Sequence, residues 1–248
     1  MTSNRFFIRR VNPDSSFVFL EGEEHHHLST VKRVRTKEEV WLFDEEGRTY
    51  LARVEKIEKE RTKLKIIETR EGKEVKVEIT LAQALLKAKK MDFIIQKSVE
   101  LGVMSIIPVI SSRSIVKMEE RGGKKLERWR KIVLEAVKQS KNPWIPSLSA
   151  PLPLGKLVKE VEAEEKLFLH EEKGAYLKNI LLREMDSGKK GPPCSVLVLI
   201  GPEGGWSEEE VELILSHGFE EVSLGRNILR SETAALSSLV LISHFWNL

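Results

Sequence analysis

"IGPEGGWSEEEVELI" (Ile200–Ile214) closes an apolar run, "SVLVLI" (195–200), with a glycine-rich turn and leads at once into a helix pattern. The spacing predicts a strand, a tight loop and a helix from Ser207. Ser207 with Glu210 three residues later forms a capping box, in which each side chain takes the other residue's backbone N–H. Val211, Ile214 and Leu215 then make the buried face, and Gly218 ends the helix. Capping alone explains the serine and the glutamate. Gly201, Gly204 and Gly205 exceed what a short loop needs, and glycines placed there let backbone groups approach a ligand. The phosphate-binding spellings G-x-G-x-x-G and G-x-x-x-x-G-K-[ST] are absent, which points to a flat, neutral ligand instead.

The next loop repeats the design. "LGRNILRSETAAL" (224–236) again follows a strand pattern, carries Gly225 and precedes a helix. Two successive loops of this kind lie at one end of a parallel sheet, where ligands bind beyond the carboxyl ends of the strands. Ser231 as N-cap and Glu232 in the first turn would serve the helix. Neither accounts for Gly225 or Arg230, and Arg230, Glu232 and Thr233 add charge and hydroxyl groups to the rim.

Working outward, the C-terminal part alternates apolar strands with amphipathic helices. Strands are expected at 77–86, 105–110, 166–170, 195–200 and 221–225. Helices are expected at about Lys89–Leu101, Glu119–Lys141, 175–185 and from Ser231. Strands apolar throughout argue for a parallel sheet covered on both faces. Pro108 places the second strand near an edge or bulge. Residues 5–70 differ: "SFVFL", "EVWLFD", "YLARVEKI" and "KLKIIE" are β-branched and aromatic and are separated by turns, as in a small barrel or sandwich. The polar "TREGKEVK" (69–76) marks the boundary. The fold class is therefore α/β, with an N-terminal β domain over 1–73 and a parallel α/β domain over 74–248.

The chain of 248 residues is 41% hydrophobic and 32% charged, with a formal net charge of +3. It has no apolar run long enough for a membrane span and no signal-peptide pattern at its start. A single cysteine, Cys194, fits a reducing cytosol. Many Lys and Glu beside few Asn and Gln hint at a thermophilic source. The run His25–His27 lacks a completing cysteine or carboxylate and reads as loop histidines, so no metal is expected. Basic groups gather at Arg5, Arg9 and Arg10, at Lys32, Arg33 and Arg35, and at Lys87, Lys89 and Lys90, and a net charge of +3 permits a nucleic-acid partner without arguing for one. The basic "RGGKKLERWRK" (121–131) reads as a solvated helix face, and Phe6, Phe7 and Trp41 as core.

The two loops resemble the C-terminal signature of RsmE-type methyltransferases of the SPOUT superfamily. "KKMDFIIQKSVELGV" (89–103) with "IIPVISSRS" (106–114) is similar to that family's first catalytic block, and "HLSTVKRVR" (27–35) with "LFDEEG" (42–47) to its PUA-like barrel. The resemblance implies a deep trefoil knot, bound S-adenosylmethionine, a homodimer, and methylation of N3 of a uridine in the 16S rRNA of the small ribosomal subunit. The cofactor would rest on Leu199, Ile200, Gly201, Pro202, Gly204, Gly205, Leu224, Gly225, Ile228, Leu229, Thr233 and Ala234. Two departures stand out: Thr30 replaces an arginine, and the family's "EQSGR" reads "KQSKN" (138–142) here.

The implied reaction needs the N3 proton removed, because the neutral imide nitrogen has no free lone pair. Positioning is expected to dominate, at about 7–11 kcal/mol, over a base worth roughly 10²–10⁴-fold. Arg113 and Arg230 are the candidates for stabilising the uridine anion or a flanking phosphate. Glu203 and Glu232 are the candidates for orienting them or taking the proton. His170 ends a strand where it could face the pocket, though a lone strand-end histidine is more often structural. The rival readings are a non-catalytic RNA-binding protein of the same fold, a SPOUT enzyme with another RNA target, and a nucleotide hydrolase.

Overall fold

Alternating burial along the first strands gives one sheet with a wet face, and unbroken burial along the later ones gives a sheet covered on both sides. The computed structural model describes residues 4–12, 15–72, 74–114, 122–171, 174–186 and 192–247. The chain divides into two compact units, Met1–Glu74 with Val137–Ile145 and Val75–Ala136 with Pro146–Leu248.

The first unit holds β1 (Arg5–Phe7), β2 (Phe17–Glu21), α1 (Gly22–His26, continued as a π-helical turn, His27–Val31), β3 (Glu39–Phe43), β4 (Thr49–Ile57) and β5 (Arg61–Arg70). Its sheet runs β1-β3-β4-β5-β2, and among the described residues its ends do not pair to close a barrel. Val18, Leu20, Leu42, Ala52, Val54 and Leu64 share one core with Phe6. The opposite face stays wet and carries cation–aromatic pairs: Arg61 over Phe19 at 4.6 Å and Lys63 over Phe17 at 4.0 Å. Arg5 is buried instead of presented to solvent, its guanidinium donating to the Val137 carbonyl at 3.1 Å. The histidine run is helical, not a loop. His25 sits inside, its Nδ1 2.8 Å from the Thr62 hydroxyl. His27 meets Phe6 edge-on.

Three residues of the divergent block 138–142 have local roles. Lys138 Nζ reaches Glu24 Oε1 at 2.6 Å, while Glu24 Oε2 accepts the Phe7 N–H. Lys141 takes a left-handed φ of 60° where the family block has glycine. Asn142 Oδ1 accepts the Trp144 N–H, closing the turn that follows.

The second unit begins with β6 (Glu78–Ala84), α2 (Ala88–Glu100), β7 (Ser105–Ile110) and α3 (Gly122–Ser140), whose last residues group with the first unit. The expected start of α3 at Glu119 lies outside the described residues. Then come β8 (Ser147–Leu148), β9 (Leu152–Pro153), α4 (Leu154–Glu160), β10 (Glu165–Leu169), β11 (Ala175–Tyr176) and α5 (Leu177–Asp186). The order ends with β12 (Ser195–Ile200), α6 (Glu208–Ser216), β13 (Glu220–Ser223) and α7 (Ser231–Ile242, followed by a π-helical turn, Ser243–Asn247). The sheet is parallel throughout, ordered β11-β13-β10-β12-β6-β7-β8, with β9 also on β7.

Leu197 and Leu199 pack with Leu157 of α4 and Ile214 of α6. Val196, Val198 and Ile200 are buried on the other face, where α7 touches β12 and β6. Pro108 lies near the sheet edge, as expected, on a strand flanked outward only by the short β8 and β9. It falls between the residues of β7 that pair with β8 and those that pair with β9, where no N–H is required.

Candidate active site

Four strand ends meet at one cavity of about 430 Å³. β7 supplies Arg113, β10 supplies Leu169, His170 and Glu171, β12 supplies Ile200–Trp206, and β13 leads into Ser223, Leu224 and Asn227–Ser231, with Ala234 from α7. Strands buried on both faces hold these ends still, so the ligand-facing surface is built from short loops on a rigid frame.

The first loop is shaped by packing under it. Trp206 is 7% exposed and donates its indole N–H to the Leu169 carbonyl at 3.2 Å. A Cβ on Gly201 would come within 3.1 Å of that indole, and Gly205 has a φ of +67°, so neither position accepts a side chain without displacement. Both capping-box bonds are present, Glu210 N–H to Ser207 Oγ and Ser207 N–H to Glu210 Oε2. Glu210 does more than cap. Its other oxygen accepts the Ser112 N–H at 2.7 Å, and the next residue, Arg113, donates to the Gly204 carbonyl at 2.8 Å. A buried carboxylate thus joins the end of β7 to the loop after β12, a second role for a residue that sequence spacing explained by capping alone.

The two glycine loops are tied to each other. Ser231 does not cap α7; the N-cap is Arg230, with no side-chain cap bond. Ser231 Oγ instead donates to the Gly201 carbonyl at 2.5 Å and accepts from Gln83 Nε2 at 3.0 Å. Because the amide donates to it, the hydroxyl proton must point at Gly201. At the rim, Lys90 Nζ lies 3.1 Å from Glu203 Oε1 and 3.2 Å from Glu232 Oε2. These carboxylates, Glu203 first, hold the Lys90 ammonium above the ordinary lysine range. His170 Nδ1 is 3.4 Å from Glu221 Oε1, and its ring meets Phe168 edge-on.

Of the expected cofactor residues, Ile200, Gly201, Pro202, Gly204, Gly205, Leu224, Ile228, Leu229 and Ala234 line the cavity, as do Arg113, Arg230 and Glu203. Leu199 is fully buried in the core beneath it, and Gly225, Thr233 and Glu232 are not in the lining. Glu232 is instead brought to Glu203 through Lys90. Arg9, Arg10 and Arg33 are exposed and His27 is half-buried, all in the first unit. Lys87 is exposed at the start of α2. Leu169, Glu171, Trp206, Ser223, Asn227 and Ser231 line the cavity without having been singled out as ligand-facing. An apolar strand end or a capping serine carries no local signal of a ligand. Among the described residues, no cluster of His, Cys, Asp or Glu is placed to hold a metal, and no helix is long and apolar enough to cross a membrane.

Comparison with known proteins adds a family to this geometry. A model described as an RNA methyltransferase domain matches residues 73–243, and one described as an RNA methyltransferase PUA domain matches residues 20–67. The chain is 33% identical to ribosomal RNA small subunit methyltransferase E of Aquifex aeolicus, over 92% of this chain and 94% of that one. It is 33% identical to the same enzyme of Synechocystis, over 91% and 72% respectively. The chain belongs to the small-subunit rRNA methyltransferase E family. Among solved members of the family, the Neisseria gonorrhoeae enzyme bound to S-adenosyl methionine superposes with a TM-score of 0.86 at 33% identity, covering 98% of both chains. A Legionella pneumophila methyltransferase in complex with the same cofactor gives 0.87 at 32%, again over 98% of both. The α/β architecture with a PUA-like first unit is thus the family's own.

Proposed function

We propose that the protein is an S-adenosylmethionine-dependent methyltransferase acting on N3 of a uridine in the 16S rRNA of the small ribosomal subunit. The observation that carries this is the cavity at the carboxyl ends of β7, β10, β12 and β13, walled by two glycine loops without a phosphate motif, in a chain of this family. Residues 1–73 form the PUA-like RNA-binding part and residues 74–248 the methyltransferase domain, which includes a trefoil knot. The enzyme works as a homodimer in the cytoplasm. Arg9, Arg10, His27, Arg33 and Lys87 are assigned to the RNA.

The residues present suit the cofactor. A volume of about 430 Å³ lies in the usual range of small-molecule sites, roughly 300–1,000 Å³. Main chain from Ile200 to Gly205 and from Leu224 to Leu229, with Ala234, would hold it, while Gly201 and Gly205 keep side chains out of the way. Once bound, the cofactor supplies an electrophilic methyl group. Arg113 and Arg230 bring positive charge to the rim, where they stabilise the uracil imide as it loses its N3 proton. Glu203, which lines the cavity, is assigned either to orient these arginines or to take that proton. Glu210, by fixing Ser112, keeps Arg113 on the Gly204 carbonyl. The target base leaves its stack to enter, as for other enzymes that act on bases.

The test is transfer of labelled methyl from S-adenosylmethionine to small subunits that lack the modification, with the label mapped by nucleoside analysis. Label in 3-methyluridine is the expected result. Cofactor binding without transfer would favour another RNA target, and no cofactor binding would leave an RNA-binding module.

A further inference from the structure

We propose that Lys90 is a positioning residue of the cofactor cavity, an ionic tie that locks its two loops together, and not a contact to RNA phosphate. This rests on the cavity being the cofactor site. Lys90 stands in the first turns of α2, and its Nζ reaches one carboxylate from each loop: Glu203 after β12 at 3.1 Å and Glu232 at the start of α7 at 3.2 Å. The three side chains keep 31%, 26% and 18% of their exposure, so water screens the trio only in part. Glu232 Oε2 is buried without a hydrogen bond of normal geometry, and among the described residues the Lys90 ammonium is what compensates it.

The arrangement argues against a phosphate role on charge alone. One ammonium shared by two carboxylates leaves the trio at a net charge of −1, which repels a phosphate. Removing the lysine leaves two carboxylates, one of them with a buried oxygen, facing each other across the gap between the loops. Like charges so placed push apart, and a part-buried charge that loses its partner is costly. A second, uncharged tie runs deeper between the same loops, from Gln83 through Ser231 to the Gly201 carbonyl. The inner tie sets the height of the loops on β6, and the outer one sets the gap between them. Lys90 therefore governs the width of the cavity mouth without touching its contents.

The experiment measures binding without turnover. Wild type, Lys90→Met and Lys90→Arg are titrated with S-adenosylmethionine by calorimetry in the absence of RNA. The same proteins are then titrated with small ribosomal subunits over a range of salt concentrations. Lys90→Met is expected to lose about ten-fold in cofactor affinity, a usual coupling between linked sites. Lys90→Arg recovers most of that loss, and the subunit affinity and its salt slope stay at the wild-type value. A salt slope lowered by about one with cofactor affinity unchanged would overturn the proposal in favour of a phosphate contact. Unchanged values throughout would overturn it as well. Should Lys90→Met unfold, Glu232→Gln removes one end of the tie and is expected to lower cofactor affinity in the same assay; an unchanged affinity there counts against the tie. Wild-type protein that takes up no S-adenosylmethionine would defeat the functional reading itself, an outcome distinct from a Lys90 variant that binds as wild type does.

Discussion

The wet face of the first unit's sheet and the loop end of the second unit's sheet both carry many charges, and they use them in opposite ways. On β3, β4 and β5 the charges pair in the open: Arg53 with Glu39 at 3.0 Å, Arg61 with Glu58 at 2.9 Å and Arg70 with Glu68 at 2.6 Å. Water and salt weaken such pairs, so they keep the sheet soluble without fixing its shape. At the ends of β7 and β12 several polar side chains are drawn into bonds with backbone. Glu210 takes N–H groups of Ser112 and Ser207, and Ser231 takes the Gly201 carbonyl. Charge decorates one region and sets coordinates in the other.

Substitutions can break or sharpen that contrast. The largest effect is expected under the loops, in the sheet that carries them. Leu197→Ala empties a fully buried position of β12 beneath α4 and α6 and should cost about 2–5 kcal/mol, read by denaturant unfolding. A loss below 1 kcal/mol (on the order of a tolerated swap) would mean this sheet is no stiffer than the first. Next, Arg113→Ala removes the guanidinium held on Gly204 and should lower turnover by roughly 10²–10³-fold, the scale of one lost electrostatic contact in an active site. Cofactor affinity is expected to hold, and an unchanged turnover would take Arg113 out of the mechanism.

Glu210→Gln is isosteric, yet both partners of Glu210 are N–H donors and an amide offers only one acceptor. One N–H is left unsatisfied at about 1–3 kcal/mol, and turnover falls through misplacement of Arg113. On an Arg113→Ala background the same change should cost stability but no further turnover. The smallest effect belongs to the exposed pairs. Arg61, with Lys56, holds the Glu58 carboxyl below the usual carboxylate range. A carboxyl with a lowered pKa stabilises the fold above its ordinary pKa and loses that contribution as the pH falls through the lowered one. Because this pair stays open to water and salt, Arg61→Ala is expected to leave unfolding midpoints at both pH 7 and pH 3 where they were; a pH-dependent drop would erase the contrast between the two regions.

How much of this could be read from the chain follows the same division. β7 and β12 were legible because strands buried on both faces are apolar almost throughout, and α6 because its capping box is local. β8, β9 and β11 are two residues long, and their pairing is set by neighbours more than by their own composition. The histidine run looked like loop because its helical stretch is short and passes into a π-helical turn, behind Gly22 at a φ of +57°. At the site, the glycine loops announced themselves and their ties did not. Gln83 and Ser231 are 148 residues apart, and nothing near either position tells it of the other. Ser231 was open to a capping reading for that reason.

Trp206, placed beneath Gly201 with its indole edge on the Leu169 carbonyl, has a consequence beyond packing. It lines the cavity, whereas Trp129 donates to Asp92, Trp246 to the Leu181 carbonyl, Trp41 lies under Arg70 and Trp144 lies against Gly47. Ultraviolet excitation of the native chain therefore includes one emitter whose surroundings change when the cavity fills. The protein carries an intrinsic optical gauge of its own occupancy, and Trp206→Phe supplies the blank.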